Sequence, residues 1–200
     1  MSTRRAEIVD VAKDLFAARG YAATSMRDIA LASDLLAGSL YSHFRSKAHI
    51  LELVLLPFFD QLIPGQRAAL EAGSTGAEEV EDMLRRVLAV CAAHDAELTI
   101  LHYDWAHLAE IDELAEVVAR SSETLELWEQ ALARGQADGS LRSEVGIPTA
   151  VRIITSSIHG VLDRRRFGTL ADDAPRDVDA LADEVVASLV SGLRTTPARV

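Results

Sequence analysis

The chain has 200 residues, 49% of them apolar and 26% charged, with a formal net charge of −11 and a pI near 4.9. That length is enough to bury a real core in one or two domains, and the apolar fraction excludes wholesale disorder. A lone cysteine, Cys91, excludes an internal disulfide and a cysteine-based metal cluster, while the overall charge points away from nucleic acid, itself a polyanion.

The first residues, Met1-Ser2-Thr3-Arg4-Arg5-Ala6-Glu7, are basic but lead into an amphipathic stretch, which argues against a signal peptide. No unbroken run of about 18 apolar residues suggests a membrane span. The expectation is a cytoplasmic protein without a membrane partner. Strand patterns are almost absent, and apolar residues recur at helical spacing nearly throughout, so the fold class is all-α with about nine helices.

Ile8, Val11, Ala12, Leu15 and Phe16 share one face of a first helix, which Gly20 stops. Thr24 and Ser25 offer cap oxygens to a short helix with Met26, Ile29 and Ala30 turned inward. A turn at Ser33-Asp34-Leu35 leads to a second short helix over 37–43, and Ser46 opens a longer one. Pro57 is expected to bend or break that helix, and Ile63-Pro64-Gly65 to end it. Further helices are expected over 77–93, 96–108, 111–136 (with Leu114, Val117, Val118, Leu125, Trp128 and Leu132 inside), 147–167 and 177–193.

Charge divides this series unevenly. The first 50 residues balance to +2, and the remainder to −13. A mildly basic unit thus precedes an acidic body, an asymmetry that permits an N-terminal nucleic-acid module. Two short helices joined by a tight turn form a helix-turn-helix, whose second helix enters the major groove. Small residues at Ala37, Gly38 and Ser39 let a backbone approach DNA, and Ser39, Tyr41, Ser42 and His43 offer hydrogen bonds to bases or phosphates. Lys47 offers a cation to phosphate.

Glu7-Ile8-Val9-Asp10-Val11-Ala12 with Leu15-Phe16 and Arg19-Gly20-Tyr21, then Thr24-Ser25-Met26-Arg27-Asp28-Ile29-Ala30, then Gly38 through Lys47, resembles the N-terminal domain of the tetracycline-repressor (TetR) family. The resemblance covers residues 4–56. It implies a transcriptional regulator, usually a repressor and a homodimer, that binds a double-stranded DNA operator and is released by a small-molecule effector. It further implies a DNA-binding domain over 1–47 and an effector-binding and dimerisation domain over 48–200. By position the DNA contacts are Thr24, Ser25, Arg27, Leu36, Ala37, Ser39, Tyr41, His43 and Lys47. The family's commonest turn reads Ala-Gly-Val-Ser, where this chain has Ser33-Asp34-Leu35-Leu36. Asp34 therefore stands where a positive φ is needed, and Leu36 leaves the second helix without a side-chain cap or else turns an apolar surface to the bases.

In the body, His102, Tyr103, Trp105, His107, Trp128 and His159 combine apolar walls with oriented polar groups, as an effector pocket requires. The stretch Leu35–Tyr41 is similar to that of family members that regulate lipid and steroid breakdown and sense coenzyme A thioesters, which implies an acyl-CoA or lipid-like effector. Those proteins often carry a Trp-Tyr-x-Pro-Gly-Gly segment after the eighth helix, and this chain has Asp163-Arg164-Arg165-Arg166-Phe167-Gly168 instead. The three arginines read either as a solvated run or as an anion site. Stripes including Ile154, Ile158, Val161, Leu181, Val185 and Leu189 suggest a dimer surface. No nucleophile elbow, phosphate loop, zinc-protease motif or metal-ligand spacing is present, so neither an enzyme nor a cofactor or metal site is expected. The alternative is a helical interaction or ligand-binding protein that does not bind DNA.

Overall fold

The computed structural model describes residues 3–72, 75–162 and 177–195. The described residues form nine α-helices: α1 (Thr3–Arg19), α2 (Met26–Ala32), α3 (Ala37–His43), α4 (Lys47–Ala72), α5 (Gly76–Ala93), α6 (Asp95–Leu108), α7 (Ala115–Ala137), α8 (Ile147–Leu162) and α9 (Val178–Leu193). A single 3-10 turn, Asp112–Leu114, precedes α7. Extended pairing among the described residues amounts to one isolated bridge between Leu141 and Arg194. Arg164, Arg165 and Arg166 lie outside the described residues.

Two sequence expectations need correction. First, α4 runs unbroken for 26 residues through Pro57, Pro64 and Gly65. A helix-interior proline costs about 3 kcal/mol of intrinsic propensity. Val54, Leu55, Phe58, Phe59, Leu62 and Ile63 are all buried around these positions, and several such side chains outweigh that cost. Second, Leu125 is 42% exposed instead of inside. Leu114, Val117, Trp128 and Leu132 are buried as expected, but Thr124 takes the inward place beside Leu125, and its carbonyl accepts a hydrogen bond from the buried Gln66 amide at 3.2 Å.

By length and composition α4 also qualifies as a membrane span, with a mean hydropathy of 1.2, but half of that window is buried inside the protein.

The chain divides into two compact units, Met1–Asp60 with His94–Ser121, and Gln61–Ala93 with Ser122–Val200. In the first, α1 packs on α2 and α6, and α2 on α3. Ile8, Ala12, Phe16, Ile29, Leu40, Phe44, Ile50 and Leu51 form its core. In the second, α5 packs on α8 and α9. Gly76 begins α5 so close to α7 that an added Cβ would lie 2.0 Å from the Gly135 nitrogen. That crossing also caps α5 from outside: the Gly76 and Ala77 amides donate to Asp138 Oδ2 (2.7 Å) and Ser140 Oγ (3.0 Å). Cys91 lies buried in α5, and burial pushes its thiol up to about 12.

Candidate nucleic-acid interface

The two short helices near the N-terminus are each seven residues long but begin differently. Ser25 caps α2 with a full capping box: the Asp28 amide donates to Ser25 Oγ at 3.2 Å, and the Ser25 amide donates to Asp28 Oδ2 at 2.8 Å. Hydrogen bonds from Ser25 hold the Asp28 carboxyl below the usual carboxylate range. Thr24, beside it, is only 1% exposed, and its hydroxyl donates back to the Gly20 carbonyl at 2.9 Å. That carbonyl belongs to the residue that ends α1 at a φ of +85°.

The turn between the helices is set by Asp34 at a φ of +53°, the left-handed region that aspartate tolerates better than most residues. Leu36 then starts α3 with φ −69° and ψ 142° and no side-chain cap. It is 81% exposed. Only Leu40 of α3 is buried, anchoring the helix to the core. Ala37, Gly38, Ser39, Tyr41 and Ser42 face outward, and His43 is half-buried with its ring 6.3 Å from that of Phe44. The Ser42 hydroxyl donates within the helix to the Ser39 carbonyl (2.6 Å), whereas the Tyr41 side chain is 59% exposed. A Cβ on Gly38 would meet nothing within 4 Å, so packing within the chain does not require this glycine.

Behind α3 the frame is held by polar contacts, most of them part-buried. The Lys47 ammonium donates to the Tyr21 carbonyl (2.7 Å) and the Thr24 carbonyl (2.8 Å) and sits 4.1 Å from the centre of the Tyr21 ring. Burial lowers the Lys47 pKa, against the opposing pull of Asp104. Asp104 of α6 accepts the Tyr21 amide at 2.9 Å, and the His107 ring lies 5.9 Å from the Tyr21 ring. Ser46 caps α4 through the His49 amide (3.0 Å) and donates its hydroxyl to Glu113 (2.8 Å). Asp28, Asp104 and Glu113 are structural residues that sequence reading did not single out. Asp28 was legible as the third residue after a serine cap. The other two act across long sequence separations and left no local pattern.

Of the seven cations in the first 50 residues, five have internal partners. Arg4 pairs with Glu7, Lys13 with Asp10 and Arg45 with Glu52. Arg5 contacts His49 and the Phe44 ring, and Lys47 is engaged as described. Arg19 and Arg27 join no ion pair among the described residues.

The effector candidates fall on three helices, α6, α7 and α8, and in both units. His102, Tyr103, Trp105 and His107 lie on α6 in the first unit, where the His102 and Tyr103 rings meet edge-on at 4.8 Å. Trp128 is 2% exposed in the core of the second unit, and His159 is half-buried on α8. A cleft of about 620 Å³ in the second unit is lined by none of these, but by side chains of α4 and α7 that include Arg67, Leu127 and Arg134. Arg67 faces Glu123, and Arg134 donates to Glu79 at 3.0 Å. Their charges read in sequence as ordinary polar helix faces. Among the described residues no group of three or more His, Cys, Asp and Glu is placed to hold a metal ion. Of the dimer candidates, Ile154, Ile158 and Val185 are buried within the chain, Leu181 and Leu189 are half-buried, and Val161 is 41% exposed.

Residues 8–54 match the model of bacterial regulatory proteins of the tetR family, and residues 73–163 match a tetracyclin repressor-like C-terminal domain. The HTH-type transcriptional repressor KstR2 of Rhodococcus jostii (strain RHA1) is 30% identical over 192 residues, covering 96% of this chain and 92% of that protein. The solved structure of the ketosteroid transcriptional regulator KstR2 of Mycobacterium tuberculosis superposes with a TM-score of 0.83 at 23% identity, over 98% of this chain and 97% of that one. AibR, solved in complex with isovaleryl coenzyme A and operator DNA, gives 0.75 at 21% identity, over 94% and 98%. The fold, the helix-turn-helix and these relatives agree: the chain belongs to the TetR family of DNA-binding transcriptional regulators.

Proposed function

We propose that the protein is a cytoplasmic homodimeric repressor that binds a palindromic operator and leaves it when a small molecule, an acyl-CoA or similar lipid-like compound, occupies its body. Residues 1–47 read the DNA, and residues 48–200 take the effector and the second subunit. The observation that carries this reading is α3: a helix anchored by Leu40 alone, with its remaining face open and Tyr41 projecting from it. Ser25, Arg27, Leu36, Ala37, Ser39, Tyr41 and His43 meet the duplex. The hydroxyl of Thr24 and the ammonium of Lys47 hold the frame that presents them. Exposed Val161 and the half-buried Leu181 and Leu189 contribute to the dimer surface, behind which Ile154, Ile158 and Val185 fill the core.

What two relatives are named for, or were solved with, supports the effector class. KstR2 is named a ketosteroid regulator, and AibR was solved with isovaleryl coenzyme A. Effector coupling of this kind is typically worth about 1–3 kcal/mol, a release of several-fold to hundred-fold. With two unpaired cations per head, a dimer neutralises about four phosphates, giving a slope of log affinity against log salt of about −4.

The test is a gel shift on DNA from upstream of the protein's own gene, across a salt series and with a panel of acyl-CoA esters and free acids. Binding with that slope and release by the thioesters are expected. Failure to bind this DNA or any duplex selected from a random pool would rule out the repressor reading. Binding that no member of the panel disturbs would rule out the effector class.

A further inference from the structure

From Leu35 through Phe44 the chain carries no Arg, Lys, Asn, Gln, Asp or Glu. The commonest base contacts in the major groove, a bidentate arginine or lysine on guanine and a bidentate asparagine or glutamine on adenine, are therefore not available to α3. The end of a recognition helix that meets the base edges is its N-terminal one. Here that end is apolar: Leu36 followed by Ala37 and Gly38, all exposed.

The carbonyl of Leu36 opens α3 by accepting the Ser39 amide at 2.9 Å, but its side chain does not hold the fold. It is 81% exposed, makes no capping hydrogen bond, and occupies a position where a serine or aspartate would stabilise the helix. An exposed leucine at the leading edge of a base-reading helix has one apolar counterpart in the major groove, the methyl group at C5 of thymine. Cytosine methylated at C5 presents the same group at the same position on the pyrimidine ring.

We propose that Leu36 is a specificity residue that reads a pyrimidine 5-methyl group, so that the protein prefers thymine over uracil and 5-methylcytosine over cytosine at one position in each half-site. This rests on the operator-binding reading above.

The experiment starts from duplexes selected out of a random pool by the full-length protein. Thymine at the symmetry-related positions is then replaced by deoxyuridine, which removes the methyl group and leaves base pairing intact. One buried methyl per half-site is worth about fourfold in affinity, so the symmetric replacement weakens wild-type binding about fifteenfold. With cytosine or 5-methylcytosine at the same positions, the methylated duplex binds more tightly by a similar factor. Leu36→Ser, which supplies a cap oxygen and so keeps α3 folded, binds the thymine and deoxyuridine duplexes equally. Equal binding of the two duplexes by wild type, or full discrimination retained by Leu36→Ser, would overturn the proposal while leaving operator binding intact. Failure to select any duplex would overturn operator binding itself, and this inference with it.

Discussion

α2 and α3 are neighbours of equal length, and they treat their first turns in opposite ways. In α2 the Ser25 cap and the reciprocal Asp28 satisfy each other's amides, and the buried Thr24 beside them bonds the Gly20 carbonyl. In α3 the first turn carries a leucine instead of a cap and a row of small exposed residues. One helix is built for stability and the other gives stability up. That difference supports the proposal that α3 is completed by the duplex, with α2 and Lys47 as the support that holds it still.

Removing the support has the largest expected effect. Lys47→Met leaves the Tyr21 and Thr24 carbonyls without their donor, and hydrogen bonds to a charged group of this kind are worth about 2 kcal/mol. Chemical denaturation should show that loss, with DNA affinity falling alongside it. The two caps come next, with opposite signs. Ser25→Ala should destabilise the head by about 1 kcal/mol, while Leu36→Ser should stabilise it by up to a similar amount because it adds the missing cap. If both changes destabilise, the contrast between the helices is not one of capping.

A smaller effect is expected from acid. Asp28 titrates at its ordinary 3.8 in the unfolded chain and lower in the folded head, because Ser25 favours its carboxylate. Its contribution is therefore complete above that value and disappears as the pH falls through the lower folded pKa. Ser25→Ala should flatten this part of the stability profile below pH 4, measured by thermal melts across the acid range. The smallest stability change belongs to Tyr41→Phe, near zero on melting because the side chain is 59% exposed, although operator affinity should drop.

The sequence makes α3 unusually legible. Its limits at Ala37 and His43 follow from local chemistry, the positive φ at Asp34 and the missing cap at Leu36 follow from comparing its turn with the family's commonest one, and the structure shows each of them. The contacts of Thr24 and Lys47 are not local. Both residues look available to DNA in sequence, but their polar atoms meet backbone carbonyls of the turn after α1 that only the folded head brings near. The continuity of α4 through two prolines was hidden for a similar reason, since propensity is a local quantity and the burial that overrides it is tertiary. The register of α7 was legible at Leu114, Val117, Trp128 and Leu132, and failed only at Leu125, where a buried threonine took the inward place that hydrophobicity assigned to leucine. The effector candidates were chosen for residue type alone, which does not show that they lie on separate helices of two compact units.

α3, and not another face of the protein, is the surface expected to meet DNA. Hydrogen–deuterium exchange of the full-length protein, with and without a duplex it has selected from a random pool, tests this directly. Slower exchange on binding is expected in α3 and at the turn before it, with α5, α8 and α9 unchanged. A duplex that binds while α3 exchanges as it does in the free protein would contradict the account.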